Sequence, residues 1–449
     1  MSRLFGTDGA RGIANTEITS ELAMKMGRAT AMVLSESTVQ RPKVLIGTDT
    51  RKSADMLAAA LASGLCSVGA DVIMAGVVPT PAVAFLVREY GCDAGVMISA
   101  SHNPCEYNGI KIFQSSGYKL PDETEEKIES IILDDAAIPP VVVGGDVGRI
   151  ITALNAADDY IHHVAASAEN MPCGIRIALD CANGSASATA KKLFTLLGTD
   201  FTVLNSEPDG VNINDNCGST NIEVLAEFVK TNSFDVGFAF DGDADRLLAV
   251  DENGNVVDGD MLMAIYAKYF KDKNRLNENT LVTTVMSNMG LFEFCKKNGI
   301  RCEKTKVGDR YVLERMLEKG FSIGGEQSGH LIFLDKATTG DGQLSAVQVL
   351  AIMGNTGRTL GELASEIEIF PQVLKNVKVS SFGKQRLNDD NDIKLAIEAA
   401  EKELGESGRV LVRASGTEPL VRVMLEGRNK EQIEKLAAMI AQVVEERLI

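Results

Sequence analysis

Three aspartates alternate in the run Phe240-Asp241-Gly242-Asp243-Ala244-Asp245-Arg246. In a strand that spacing puts all three on one face, and in a tight loop they can surround a cation. Crowded carboxylates need a cation or raised pKa values. A donor set of oxygens suits Mg²⁺, which commonly keeps waters or a substrate phosphate as further ligands. An EF-hand calcium loop is the competing pattern, since Glu252 falls at its twelfth position. Arg246 stands where that loop needs glycine, and the flanks VGFAF and LLAVD read as strands, which disfavours it. A solvated acidic turn is the bland alternative.

Ser101 ends the apolar run AGVMI (Ala94–Ile98) in the stretch ISASHNP, and a second short strand, Ile110 to Phe113, returns Lys111 beside it. His102 suggests a hydrolase pair. Adjacent residues in extended chain point to opposite faces, however, and there is no GxSxG elbow. A serine carrying phosphate next to a carboxylate-bound Mg²⁺ makes better chemical sense. The metal neutralises phosphoryl oxygens, and Lys111 moves the proton of the attacking or leaving oxygen. Taken alone, Ser101 is an ordinary turn serine; its neighbours reverse that reading.

RASGTEPLVR supplies Arg413, Ser415, Gly416, Thr417 and Arg422, two guanidinium forks, two hydroxyls and a glycine-softened backbone. That is a phosphate cradle, although two arginines on a loop are usually solvated. GEQSGH offers Glu326 and Ser328 as partners for sugar hydroxyls, and His330 reads as structural when considered in isolation. FGTDGARG places Arg11 in a glycine-rich loop that is equally a plain turn.

The elements that must position these residues alternate strand and helix over most of the chain. A helix from about Thr19 carries Leu22, Met26, Ala29 and Val33 on one stripe, and KVLIGTDTR is a buried strand and loop. Ser53 is expected to cap the helix that carries Leu57, Leu61 and Leu65. Three βα units each place a polar loop after an apolar strand, namely SASHNP, DGDADR and GEQSGH, and such strand ends gather ligands in open α/β sheets. From about Phe370 the pattern changes to the strands QVLKNVKV, RVLVRASG and VRVMLEG. A closing helix follows, with Ile433, Leu436, Ile440 and Val444 inward.

With 449 residues, the chain is too long for one core. The formal charge of −17 argues against a nucleic-acid surface and means that an anionic ligand needs a locally basic site. MSRLFGTDGARG lacks the features of a signal peptide, and no apolar run approaches the roughly 20 residues of a membrane span. The 8 cysteines form no CxxC pair, which suits reduced thiols in a cytoplasmic protein.

In their order and spacing these stretches resemble the α-D-phosphohexomutases: ISASHNP for the phosphoserine loop, DGDADR for the metal loop, GEQSGH for the sugar loop and RASGTEPLVR for the phosphate loop. The likeness runs nearly end to end. It implies three similar α/β domains with mostly parallel mixed sheets plus a smaller C-terminal α+β domain, arranged around a central cleft. The expected divisions are 1–150 for the phosphoserine domain, 151–256 for metal, 257–368 for sugar and 369–449 for phosphate.

Carried over residue by residue, the resemblance makes Ser101 the phosphorylated donor. Asp241, Asp243 and Asp245 would hold one Mg²⁺ together with a phosphate oxygen on Ser101. Lys111 is the expected general acid/base, with Arg11 and Arg246 holding charge and His102 a neighbour in the catalytic group. Glu326, Ser328 and His330 belong to the substrate-binding set, and Arg413, Ser415, Gly416, Thr417 and Arg422 hold the phosphate not being transferred. The FGTDGARG opening and SGTEPLVRVMLEG ending look like the bacterial branch that interconverts glucosamine 6-phosphate and glucosamine 1-phosphate through glucosamine 1,6-bisphosphate, in UDP-N-acetylglucosamine synthesis. Dimers are common among its bacterial members.

Two positions depart from the family pattern. Ala244 stands where glycine is usual, and Ala414 where proline is common in this branch. Ala244 is tolerable if its backbone avoids positive φ. The alternatives are a glucose or mannose phosphate as substrate, or a non-catalytic sugar-phosphate sensor. A sensor would be expected to lose the serine, the carboxylates or Lys111, and this chain keeps all of them.

Overall fold

A computed structural model describes residues 4–6, 8–35, 41–134, 136–137, 139–140, 142–415 and 420–448. They fall into a larger unit, 1–286 with 300–365, and a smaller one, 287–299 with 366–449.

The larger unit holds three sheets. Across the first the strands run Ala10–Ile13, Tyr107–Gln114, Ala94–Ile98, Lys43–Thr48, Asp71–Val77 and Ile150–Thr152. The last four are mutually parallel, and the first two add on antiparallel. Strand alternation explains why both faces are covered. Val44 and Ile46 join the core made with the helices Ser20–Ser35 and Lys52–Ser67. Gly47 and Gly95 lie instead under Val83 of the helix Thr80–Glu89 on the opposite face. The stripe on Ser20–Ser35 is as expected for Met26 and Ala29, which are buried, while Leu22 and Val33 pack partly exposed against the same core.

The second sheet runs Val256–Val257, Leu247–Asp251, Val236–Phe240, Arg176–Asp180 and Asp200–Leu204, and its last three strands are parallel. In the third, Arg301–Thr305, Thr280–Thr284 and Ile323–Gly325 are parallel and Leu331–Phe333 is antiparallel. The sheets share one device. Each polar loop singled out in the sequence joins a parallel strand to an antiparallel neighbour, so these loops are ββ and not βα connections. In each, the two strands that flank the loop are hydrogen-bonded to each other.

Ser53 does not cap its helix. The helix Lys52–Ser67 begins two residues earlier than that cap would set, with Arg51 at the N-cap position and no side-chain cap bond. Ser53 Oγ accepts a hydrogen bond from Asn108 Nδ2 instead, at 2.9 Å.

The smaller unit is an antiparallel sheet, Gln372–Lys378, Leu420–Gly427 and Gly408–Ala414, with Leu420–Gly427 central. Its core joins Val421, Val423 and Leu425 to Ile433, Leu436, Ile440 and Val444 of the helix Lys430–Leu448. The helix Met289–Lys297 packs in this unit, although its place in the chain is between strands of the third sheet. Asn288 caps it through Gly290 N and donates to Phe370 O at 3.0 Å, and Met289 N donates to the buried Glu426. All eight cysteines are free thiols. No described helix is long and apolar enough to cross a membrane.

Candidate active site and metal centre

Ser101 follows the buried strand Ala94–Ile98 and has φ +52°, the left-handed region that costs a non-glycine residue roughly 1–2 kcal/mol. The extended-chain expectation for His102 therefore does not hold. The bend brings His102 Nδ1 to 3.4 Å from Ser101 Oγ. The serine proton nevertheless has a better acceptor, because Oγ donates to Asp241 Oδ2 at 2.5 Å. Burial, then Arg246 and Arg11, lower the His102 pKa to about 4, so its imidazole is neutral near pH 7.

Asp241, Asp243 and Asp245 occupy the tight turn between the strands Val236–Phe240 and Leu247–Asp251, not a strand face. Each offers an oxygen within 4.8 Å of the others, and all three residues are buried. Asp243 Oδ1 and Asp245 Oδ1 are buried and accept no hydrogen bond from the described residues. Orphaned anionic oxygens in a dry site are costly, and a divalent cation satisfies them, so the donor set fits a hard oxygen-seeking metal.

Ala244, between two of these aspartates, has φ +54° and is fully buried. It does not avoid the left-handed region; the turn needs that conformation and the alanine carries its strain. Gly242 is needed for a different reason. A Cβ there would lie 2.5 Å from Ser101 O and 2.8 Å from Asn214 Nδ2.

Lys111 reaches the cluster from the strand Tyr107–Gln114, where it pairs in register with Met97. Its Nζ lies 2.8 Å from Asp243 Oδ2, 3.0 Å from Asp8 Oδ2 and 3.6 Å from Asp245 Oδ2. Burial opposes its charge, but Asp243, Asp8 and Asp245 outweigh it and raise the lysine pKa, so it is an ammonium. Burial also pushes Asp245 up, and Lys111 followed by His330 and Arg246 overcomes it, leaving the carboxyl below its usual range. At Asp241 burial, then Asp245 and Asp243, outweigh Arg246 and the Ser101 hydrogen bond and hold the carboxyl well above the usual carboxylate range.

The third loop closes on the same place. His330 is buried, with Nδ1 3.5 Å from Asp245 Oδ2. Gly340 N donates to its Nε2 at 3.0 Å, which leaves the ring proton on Nδ1, facing the carboxylate. Glu326 accepts from Gly308 N at 3.0 Å, and Ser328 is exposed at the tip of the loop. Arg246 approaches Asp245 Oδ1 at 3.8 Å, and Arg11 is paired with Asp8 at 2.6 Å.

In the smaller unit Arg413 and Arg422 face each other across paired strands, and burial followed by Arg422 lowers the Arg413 pKa. Like charges directly opposite are unfavourable until an anion lies between them. Ser415 is buried beside them; Gly416 and Thr417 lie outside the described residues.

Four family descriptions cover the chain in order, and they decide its kinship. Phosphoglucomutase/phosphomannomutase alpha/beta/alpha domain I matches residues 2–138, domain II 158–254, domain III 258–370 and the C-terminal domain 374–443. The chain belongs to the phosphoglucomutase/phosphomannomutase family. A phosphoglucosamine mutase of Ruminiclostridium cellulolyticum is 55% identical over 448 residues, covering 100% of both chains. One from Acetivibrio thermocellus is 54% identical with the same coverage. Among solved structures, a phosphoglucomutase/phosphomannomutase family protein of Burkholderia thailandensis superposes with a TM-score of 0.82 at 22% identity, covering 100% of this chain and 98% of that one. An Aspergillus fumigatus N-acetylphosphoglucosamine mutase, solved with GlcNAc-6P and magnesium, gives 0.74 at 18%, covering 100% and 96%.

This phosphohexomutase is thus a four-domain α/β isomerase whose full-length relatives are phosphoglucosamine mutases. Several of its site residues carry no sequence signal. Thr80 donates to Asp243 Oδ2 at 2.6 Å, and Asp8 binds both Lys111 and Lys119. Thr80 opens a helix and Asp8 lies in a glycine-rich turn, so neither belongs to a spaced cluster.

Proposed function

We propose that the protein interconverts glucosamine 6-phosphate and glucosamine 1-phosphate, with Ser101 as a reusable phosphoryl carrier. The observation that carries this reading is the 2.5 Å bond from Ser101 Oγ to Asp241, within a carboxylate cluster that also binds the Lys111 ammonium. Phosphoserine 101 gives its phosphoryl group to the free sugar oxygen. The P–O bond to Ser101 breaks as a new one forms, giving glucosamine 1,6-bisphosphate and free serine. The bisphosphate reorients, and its other phosphate returns to Ser101.

Asp241, Asp243 and Asp245, with a phosphate oxygen on Ser101, would hold one Mg²⁺. When bound, the cation neutralises phosphoryl oxygens. Lys111, charged as found, donates a proton to the departing serine oxygen and is reprotonated by the proton that the attacking sugar hydroxyl gives up, while Asp243 and Asp8 hold its ammonium in place. Arg11 and Arg246 hold charge beside the reacting group. Glu326, Ser328 and His330 orient sugar hydroxyls. Arg413, Ser415, Gly416, Thr417 and Arg422 serve the phosphate that is not moving, and planar guanidinium groups suit it. A homodimer in the cytoplasm producing precursor for UDP-N-acetylglucosamine completes the reading.

Ser101→Ala tests the carrier. Supplied with Mg²⁺ and the 1,6-bisphosphate, it should show no turnover and take up no phosphate by intact mass, and full activity would refute the reading. Turnover on glucosamine, glucose and mannose 6-phosphates tests the sugar, where equal rates on all three would remove the glucosamine assignment.

A further inference from the structure

The backbone of Ser101 is held at both ends by one buried ion pair. Ser101 N donates to Ser99 Oγ at 3.0 Å, and Ser99 Oγ donates to Asp49 Oδ2 at 2.6 Å. Arg51 Nε donates to the same Asp49 oxygen at 2.8 Å, and both side chains are 0% exposed. Arg51 Nη2 then returns to the serine loop, donating to Ser101 O at 2.9 Å and Asn103 O at 2.8 Å, while Nη1 donates to Pro104 O at 2.5 Å.

A second arm comes from the neighbouring sheet's domain. Asn214 Nδ2 donates to Ser101 O at 2.9 Å and Asn103 O at 3.1 Å, the two carbonyls that Arg51 Nη2 also binds. Asn214 is itself fixed at φ +59°, with its N–H on Ala182 O at 2.9 Å. The same conformation recurs at Ala182 and Asn183, at Asn205 and at Asn216, in the connections after two neighbouring strands. Asp180 ties that region together, accepting from Ala182 N and Gly218 N at 2.9 Å each. So much left-handed backbone persists only where the surroundings over-determine it. From it the Asn214 amide is aimed at the serine loop.

We propose that Arg51 and Asn214 are positioning residues for phosphoryl transfer, a two-armed clamp that holds Ser101 in its left-handed conformation with Oγ turned to the carboxylate cluster. The proposal rests on the carrier reading of Ser101. Neither residue reaches Oγ. Each acts through the carbonyls, which must stay put while the side chain is phosphorylated, emptied and rephosphorylated in every cycle. A guanidinium is required at position 51 because three carbonyls and one carboxylate are bound at once, more than the three donors of a lysine can serve.

The test compares Asn214→Ala, Asn214→Asp and Ser101→Ala with wild type, measuring kcat, KM, thermal midpoint and phosphate uptake from glucosamine 1,6-bisphosphate by intact mass. Asn214→Ala should keep its fold and still take up phosphate, yet lose roughly 100-fold in kcat with KM within about threefold, the cost of a reacting group misplaced by about 1 Å. Asn214→Asp, which turns a carboxylate on the same carbonyls, should lose more. Arg51→Lys should show the same split, with kcat lowered per folded molecule and KM kept. Full kcat in Asn214→Ala, beside an inactive Ser101→Ala, overturns the clamp alone. A kcat loss that only tracks the folded fraction also overturns it. Activity in Ser101→Ala overturns the carrier reading and the clamp with it.

Discussion

Lys111 Nζ and Asp243 Oδ2 are 2.8 Å apart, both buried, so the ammonium stands among the carboxylates as a built-in cation. Removing one partner of a buried pair leaves an uncompensated charge and costs about 3–5 kcal/mol. Lys111→Met should therefore lower the melting temperature in EDTA and recover more of it on adding MgCl₂ than wild type does. Differential scanning fluorimetry in the two buffers reads this directly. An equal Mg²⁺ response in both proteins would show that lysine and metal do not share the carboxylates.

Gly242 is set by contact with a backbone that cannot give way. Gly242→Ala would drive a methyl into Ser101 O, at 2.5 Å, and should cost about 1–3 kcal/mol with a large loss of kcat. Gly145→Ala, where a Cβ meets nothing within 4 Å, is the control and should leave both unchanged.

Ala244 carries strain at φ +54°. Ala244→Gly relieves about 1–2 kcal/mol of it, against the greater unfolded-state freedom of glycine and the loss of a buried methyl, about 0.8 kcal/mol. The sum is near zero, so stability should stay within about 1 kcal/mol by denaturant titration, with activity kept. Ala244→Val adds a β-branched side chain at the same φ and should fail to fold well. A tolerant valine would mean that the turn is not held where it is found.

Asp341 gives a pH dependence with a definite sign. It caps the helix Gly342–Thr356 through Leu344 N and accepts from Tyr160 Oη at 2.9 Å. Burial raises its pKa to about 6 even so. A carboxyl with a raised folded pKa contributes stability below its unfolded pKa near 4, and that contribution is lost as pH rises through about 6. Asp341→Asn keeps an acceptor without the charge. The stability of wild type minus variant should thus fall by about 1–3 kcal/mol between pH 4 and pH 7, and a flat difference would show that Asp341 is not buried as a costly anion.

The short motifs were legible in the sequence because their chemistry is local. Asp241, Asp243 and Asp245 lie within five residues, Ser101 and Glu326 stand in loops and Arg413 near the end of a strand, each in a stretch whose composition points to a site. Strand and helix order could be read for the same reason, since hydrophobic periodicity is a property of neighbours. What the tertiary structure alone decided is longer in range. Thr80 on Asp243, Asp8 on Lys111 and Asn214 on Ser101 join residues 163, 103 and 113 positions apart. Backbone sign belongs there too. Nothing in the spacing tells that Ser101 and Ala244 turn left-handed, because that choice is imposed by the hydrogen bonds and contacts around them. Residue types and spacing determined which chemistry this chain carries; the fold decided how its serine is aimed, because only packing across distant segments can hold a strained backbone still.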